Sequence, residues 1–305
     1  MLGGVGMVVA AILLRAGRLD TDLPADQAVY LGFLALGGGL LAIVGLVMNA
    51  VRAVVVREAL PPNRYRGPAI FVLLALATLL SVIGSVTVAG DILALEGGGS
   101  ISIFASLVIL TVTQAGLVAA AVLFVAVPGA LPGVRLLPAS GALRTFALGV
   151  GLAAPLWVAA TLVGALLEAL LSALGHPTTP GLVDDAVSRL DPTVLVLAIV
   201  IIAPIAEEIF FRGVVFNAWL REYGVWVAIL GSAALFATIH ADPSNGDTLI
   251  ASIARVLPIF GLGLGLAYVY WRTGSLLASI GLHMGFNAVS LGIALAARLG
   301  LLPSF

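Results

Sequence analysis

Residues 193–220 read TVLVLAIVIIAPIAEEIFFRGVVFNAWL. The run is 28 residues long and largely apolar on every side of a helical wheel, and its only charges are Glu207, Glu208 and Arg212 near its middle. As one helix it measures about 42 Å, at 1.5 Å per residue. A bilayer's hydrocarbon core is ~30 Å thick, so the segment spans it and emerges at its inner end. A helix apolar all round is a membrane span or the centre of a large core. Pro204 stands just before the acidic pair, where it is placed to kink the helix.

The rest of the chain decides between those two settings. Of 305 residues, 61% are apolar and 10% charged, and the mean hydropathy is +1.20. A soluble domain carries about 25% charged residues. So few charges cannot cover a water-facing surface, which excludes a soluble enzyme, a disordered chain and a nucleic-acid binder. The net charge of −1 gives no bulk attraction to polyanions. There is no cysteine, hence no disulfide and no thiolate-bound zinc. All fourteen basic residues are arginine. With the abundant Ala, Val, Leu and Gly, this points to a GC-rich microbial genome and a prokaryotic plasma membrane.

The expected fold is all-α, a polytopic transmembrane helical bundle of eight to nine spans. These cover 2–14, 28–51, 68–90, 101–128, 145–174, 193–220, 225–240, 248–271 and 275–298. The first is short. No basic residue precedes it, so it reads as a truncated span rather than a signal peptide. Arginine in the loops orients the bundle. Arg52, Arg57, Arg64 and Arg66, then Arg135 and Arg144, then Arg221, then Arg272 fall on one side. The opposite loops carry Asp91 and Glu96, then Asp184, Asp185 and Asp191 against Arg189, then Asp242 and Asp247. The arginine-rich loops are therefore expected in the cytoplasm. Segment 129–143 holds two prolines and three glycines and breaks the helical pattern. It divides N-terminal helices, 1–144, from a C-terminal catalytic core, 145–305, whose motifs lie within 190–295.

Charges inside a span are costly and mark function, or a polar cluster that joins helices. Adjacent helical residues point about 100° apart, so the two glutamates face different ways. Glu208 and Arg212 are i and i+4 with the acid first, the favoured ion-pair order. That neutralises Glu208 and leaves Glu207 facing elsewhere, in a poorly solvated place that suits a general base. The chain has three histidines. His176 reads as a solvated loop residue. His240 ends a span of only about 24 Å, so the polar loop behind it needs a wet cavity at membrane depth. His283 lies in the last span, with Asn287 one turn on and on the same face. His283 and Asn287 lie roughly 12 and 18 Å deep and Glu207 near mid-depth, so the four groups, with His240, can converge. Together they are the parts for hydrolysing a peptide bond with an activated water: Glu takes the proton, one His holds the water or a metal, His and Asn bind the oxyanion.

Glu207-Glu208-Ile-Phe-Phe-Arg212, Phe236-Ala-Thr-Ile-His240 and His283-Met-Gly-Phe-Asn287 resemble the three motifs of the CPBP family. That family groups CAAX prenyl endopeptidases with bacterial bacteriocin-processing and immunity-type membrane proteins. Motif order matches, as does Ser275-Leu276 leading into the third, and the resemblance covers about residues 190–295. It implies an intramembrane endopeptidase with Glu207 as catalytic carboxylate, assisted by His240. His283 and Asn287 would bind the oxyanion, and Glu208 and Arg212 would support. Phe236, sharing a face with His240, reads as packing. Two chemistries fit: a glutamate-activated water, or a metal, zinc by family habit, held by Glu207, His240 and His283. No HExxH pair is present. The implied substrate is a membrane-associated protein or peptide, since a prenylated C-terminal motif is mainly eukaryotic. The alternative is a non-proteolytic scaffold or regulator of other membrane proteins that keeps the motifs. A transporter would show matching halves, and the polar residues here sit only in the C-terminal half.

Remaining features have plainer readings. Gly281 and Gly285 bracket His283 in a GxxxG, and the Gly37–Gly39 run and Gly261, Gly263 and Gly265 are also suited to close helix packing. Pro155 and Pro258 are placed to kink their spans. Arg255 is expected to pair with Glu168, to snorkel, or to bind a substrate carboxyl terminus. Trp219, Trp226 and Trp271 fit an interfacial belt.

Overall fold

The computed structural model describes residues 131–138, 140–175, 192–240 and 249–301. Within the fifth helix the side chains are described from residue 256 onward. The four expected spans before residue 129, His176, the loop after His240 and the side chain of Arg255 lie outside the described residues. The described part is helical, with no strand. In order come α1 (Leu131–Val134), α2 (Ala142–Ala173), α3 (Pro192–Tyr223), α4 (Val225–Thr238), α5 (Leu249–Thr273) and α6 (Leu276–Arg298).

Three of these, α2, α3 and α6, are long and apolar enough to cross a membrane, and α4 is a shorter apolar helix. The protein is an integral membrane protein. Helix α2 shows what such a solvent selects. Its buried residues are Gly149, Ala153, Ala160 and Leu171, while Leu143, Leu148, Leu162, Leu166 and Leu170 point outward. In a bilayer, association is driven by close packing rather than by apolarity, so small residues face the neighbour. The neighbour is α6. A Cβ on Gly149 would collide with the backbone of Ala278, and one on Gly281 with the carbonyl of Phe146. A Cβ on Gly285 would stand 2.7 Å from that of Ala153. The GxxxG around His283 is thus a close crossing of α6 over α2.

Helix α3 runs through the centre. Phe210, Phe211, Val214, Val215 and Phe216 are buried among Phe236 of α4, Leu266 and Tyr270 of α5 and Leu276 and Leu282 of α6. Its winding is uneven. Val196–Ile202 and Ile209–Phe216 are π-helical, on either side of an α-helical Ala203–Glu208. Such wide turns are rare and concentrate at functional sites. At Pro204 the helix changes register. Pro155 and Pro258, by contrast, sit within continuous helices.

The connections are abrupt. Gly224 alone, at φ 86°, separates α3 from α4, a conformation most residues avoid. Gly274 (φ 63°) ends α5, and Ser275 then caps α6 by accepting from Leu277 N at 3.2 Å. Residues 131–138, on the N-terminal side of the expected boundary, pack against this bundle. Val134 is buried in its core, and Leu276 N donates to Arg135 O at 3.0 Å.

Candidate active site

Four helices meet around Glu207 and Glu208, which are 5% and 0% exposed. The i,i+4 spacing produces the expected ion pair. Arg212 Nη1 donates to Glu208 Oε1 at 2.8 Å, both side chains fully buried. Two further donors reach Glu208: Ser279 Oγ bonds to Oε2, and His283 Nδ1 stands 3.1 Å from Oε1. Glu208 therefore serves as a hub for one guanidinium, one hydroxyl and one imidazole. A carboxylate so engaged organises the groups around it.

Arg212 is held as firmly. Its Nη2 donates to Gly263 O of α5 at 3.1 Å, and its guanidinium lies over the Phe236 ring, 4.6 Å from the centroid. Gly263 also lets α5 lie close against α4, since a Cβ there would sit 3.0 Å from Ala233 Cα. Phe236, expected as packing, lies between charges and rings. Its centroid is 4.6 Å from that of His240 and 5.5 Å from that of His283. Ser279 was not singled out by the sequence, and Gly263 was read only as a packing glycine. Ser279 precedes His283 by one turn, a spacing that carried the signal. A backbone carbonyl carries none.

Glu207 faces the two histidines. Its Oε2 lies 4.0 Å from His240 Nε2 and 3.9 Å from His283 Nε2. The other ring nitrogens fix the tautomers. His240 Nδ1 is 2.7 Å from Phe236 O, and a carbonyl only accepts, so Nδ1 carries the proton. The same logic puts a proton on His283 Nδ1, against Glu208. Both Nε2 atoms thus converge on one carboxylate oxygen, each ring oriented by a bond at its far side. The cluster opens toward α4: the His240 side chain is 33% exposed, against 3% for His283.

Asn287 sits one turn beyond His283, and its Nδ2 donates to Ile199 O of α3 at 2.8 Å. The structure therefore brings Glu207, His240 and His283 together, and ties Asn287 to the α3 backbone beside them. One carboxylate and two imidazoles with protonated Nδ1 make a donor set of the kind zinc accepts. The spacing differs: ligand atoms about 2.0–2.1 Å from a tetrahedral ion stand roughly 3.3 Å apart. Among the described residues no three His, Asp or Glu side chains are placed to hold a metal ion. A water about 2.8 Å from Glu207 Oε2 and from either Nε2 fits instead, with an angle of roughly 90° at its oxygen.

Residues 189–289 match the family model described as type II CAAX prenyl endopeptidase Rce1-like. An uncharacterized 24.3 kDa protein of Escherichia coli is 31% identical over 163 residues, covering 52% of this chain and 68% of that protein. No solved structure matches. The chain belongs to the Rce1-like group of CPBP intramembrane proteases.

Proposed function

We propose that this family member is an intramembrane endopeptidase, CAAX-protease-like, that hydrolyses a peptide bond of a membrane-associated protein or peptide. The observation that carries the reading is the convergence of His240 Nε2 and His283 Nε2 on Glu207 Oε2 at 4.0 and 3.9 Å inside a buried cluster. Water between Glu207 and His240 is polarised from both sides. Glu207 takes its proton as the oxygen attacks the scissile carbonyl, then passes that proton to the departing amine. His283 acts as the imidazolium, its Nδ1–H held by Glu208, and donates from Nε2–H to the oxyanion. Asn287 gives one N–H to Ile199 O, and the second N–H is the other oxyanion donor. Substrate reaches the site from the His240 side, where the cluster is open. In this reading the arginine-rich loops, and with them the inner ends of the spans, face the cytoplasm of a prokaryotic cell.

The test compares membrane-protein termini in cells expressing wild type or Glu207→Ala at matched levels. New termini seen only with wild type establish proteolysis and name the substrate. Identical termini, with the mutant still restoring the cellular phenotype, move the function to a scaffold.

A further inference from the structure

Ile199 O is a carbonyl that its own helix does not serve. In an α-turn its donor is the N–H of residue 203, but Ala203 N–H bonds to Ala198 O, five residues back. In that wider register the donor for Ile199 is residue 204, which is Pro204 and has no N–H. At membrane depth there is no bulk water to take over, so a broken helix must be completed by a neighbour. The neighbour is Asn287, whose Nδ2 donates to Ile199 O at 2.8 Å.

We infer that Asn287 is a positioning residue: its amide supplies the hydrogen bond that Pro204 removes from α3, and so fixes where Glu207 stands. Pro204 and Glu207 belong to the same short α-helical stretch, Ala203–Glu208, three residues apart. Asn287 and His283 are one turn apart on α6. One turn of α6 thus grips α3 on the near side of Pro204 and presents an imidazole to the carboxylate on the far side. The 3.9 Å between Glu207 and His283 is set by that grip. The π turn, the proline and the asparagine form one device, in which each makes sense only with the others.

The test is a double-mutant cycle in lipid nanodiscs with Asn287→Ala, Pro204→Ala and the double variant. Pro204→Val repeats it with the volume retained should alanine misfold. Thermal midpoint is the first readout, and it is independent of any protease activity. Asn287→Ala lowers the midpoint in the proline background and by much less where residue 204 carries an N–H. An equal drop in both backgrounds overturns the inference. The second readout is kcat against KM, which rests on the endopeptidase reading. Asn287→Ala alone loses about 10²–10³-fold in kcat, as expected for an oxyanion donor. Restoring the N–H at 204 returns about tenfold of it with KM unchanged, because Glu207 regains its place although the donor stays lost. Coupled midpoints without any return of kcat overturn the positioning role. Coupled midpoints in a wild type that cuts nothing leave the grip standing and refute the endopeptidase reading instead.

Discussion

Glu208 accepts from Arg212, Ser279 and His283, and glutamine in its place leaves a buried guanidinium without its counter-charge. Breaking a buried pair from one side costs about 3–5 kcal/mol. Glu208→Gln is therefore expected to lower the thermal midpoint in detergent sharply. The double variant Glu208→Gln, Arg212→Leu recovers part of the loss, because the stranded charge goes with it. At this scale the sequence was legible where spacing carried the information. The i,i+4 order of Glu208 and Arg212 foretold the pair that forms. The convergence of residues from three helices rested on depth arithmetic alone, which has no angular information. It left open that Asn287 binds Ile199 O while His240 and His283 face Glu207. Apart from its one-turn spacing to His283, a serine in an apolar span looks like any small residue, so Ser279 was passed over.

Helices α2 and α6 cross where Gly149 and Ala153 meet Gly281 and Gly285, and that crossing carries His283 between the two α6 glycines. Gly281→Leu forces a side chain into the Phe146 carbonyl. Overpacking of this kind costs about 1–3 kcal/mol, and here it also moves His283. We expect it to reduce cleavage well beyond its effect on the midpoint. Gly292→Leu, with nothing within 4 Å of its Cβ position, is the control that changes neither. Hydropathy located these elements well, with expected spans at 145–174, 225–240 and 275–298 against Ala142–Ala173, Val225–Thr238 and Leu276–Arg298. It did not see the π turns of α3. A wide turn inserts one residue into a helix, and a span that is apolar on every side gives the same hydropathy whichever way it is wound. Pro204 was the one visible trace of them.

The helices that carry the candidate site are held to the segment that precedes them. Tyr270 Oη donates to Val134 O at 2.9 Å and receives Asn217 Nδ2 at 2.6 Å, joining α1, α3 and α5 through one hydroxyl. Tyr270→Phe strands a buried carbonyl and is expected to cost about 1–3 kcal/mol, read as a midpoint shift with the site chemistry intact. This tie was hidden in the sequence, because the prolines and glycines of 129–143 mark a break in helix and not what the break packs against. The membrane setting, by contrast, was plain from composition, since so few charges leave no other solvent. The whole account turns on one carboxylate, and the most direct measurement uses the purified protein in bilayers. Wild type and Glu207→Gln are compared on a substrate identified from the cellular termini, in water enriched in oxygen-18. Wild type is expected to place the label in the new carboxyl terminus. Glu207→Gln, folded with a midpoint close to wild type, should cut nothing. Cleavage by folded Glu207→Gln at a rate near that of wild type would contradict it.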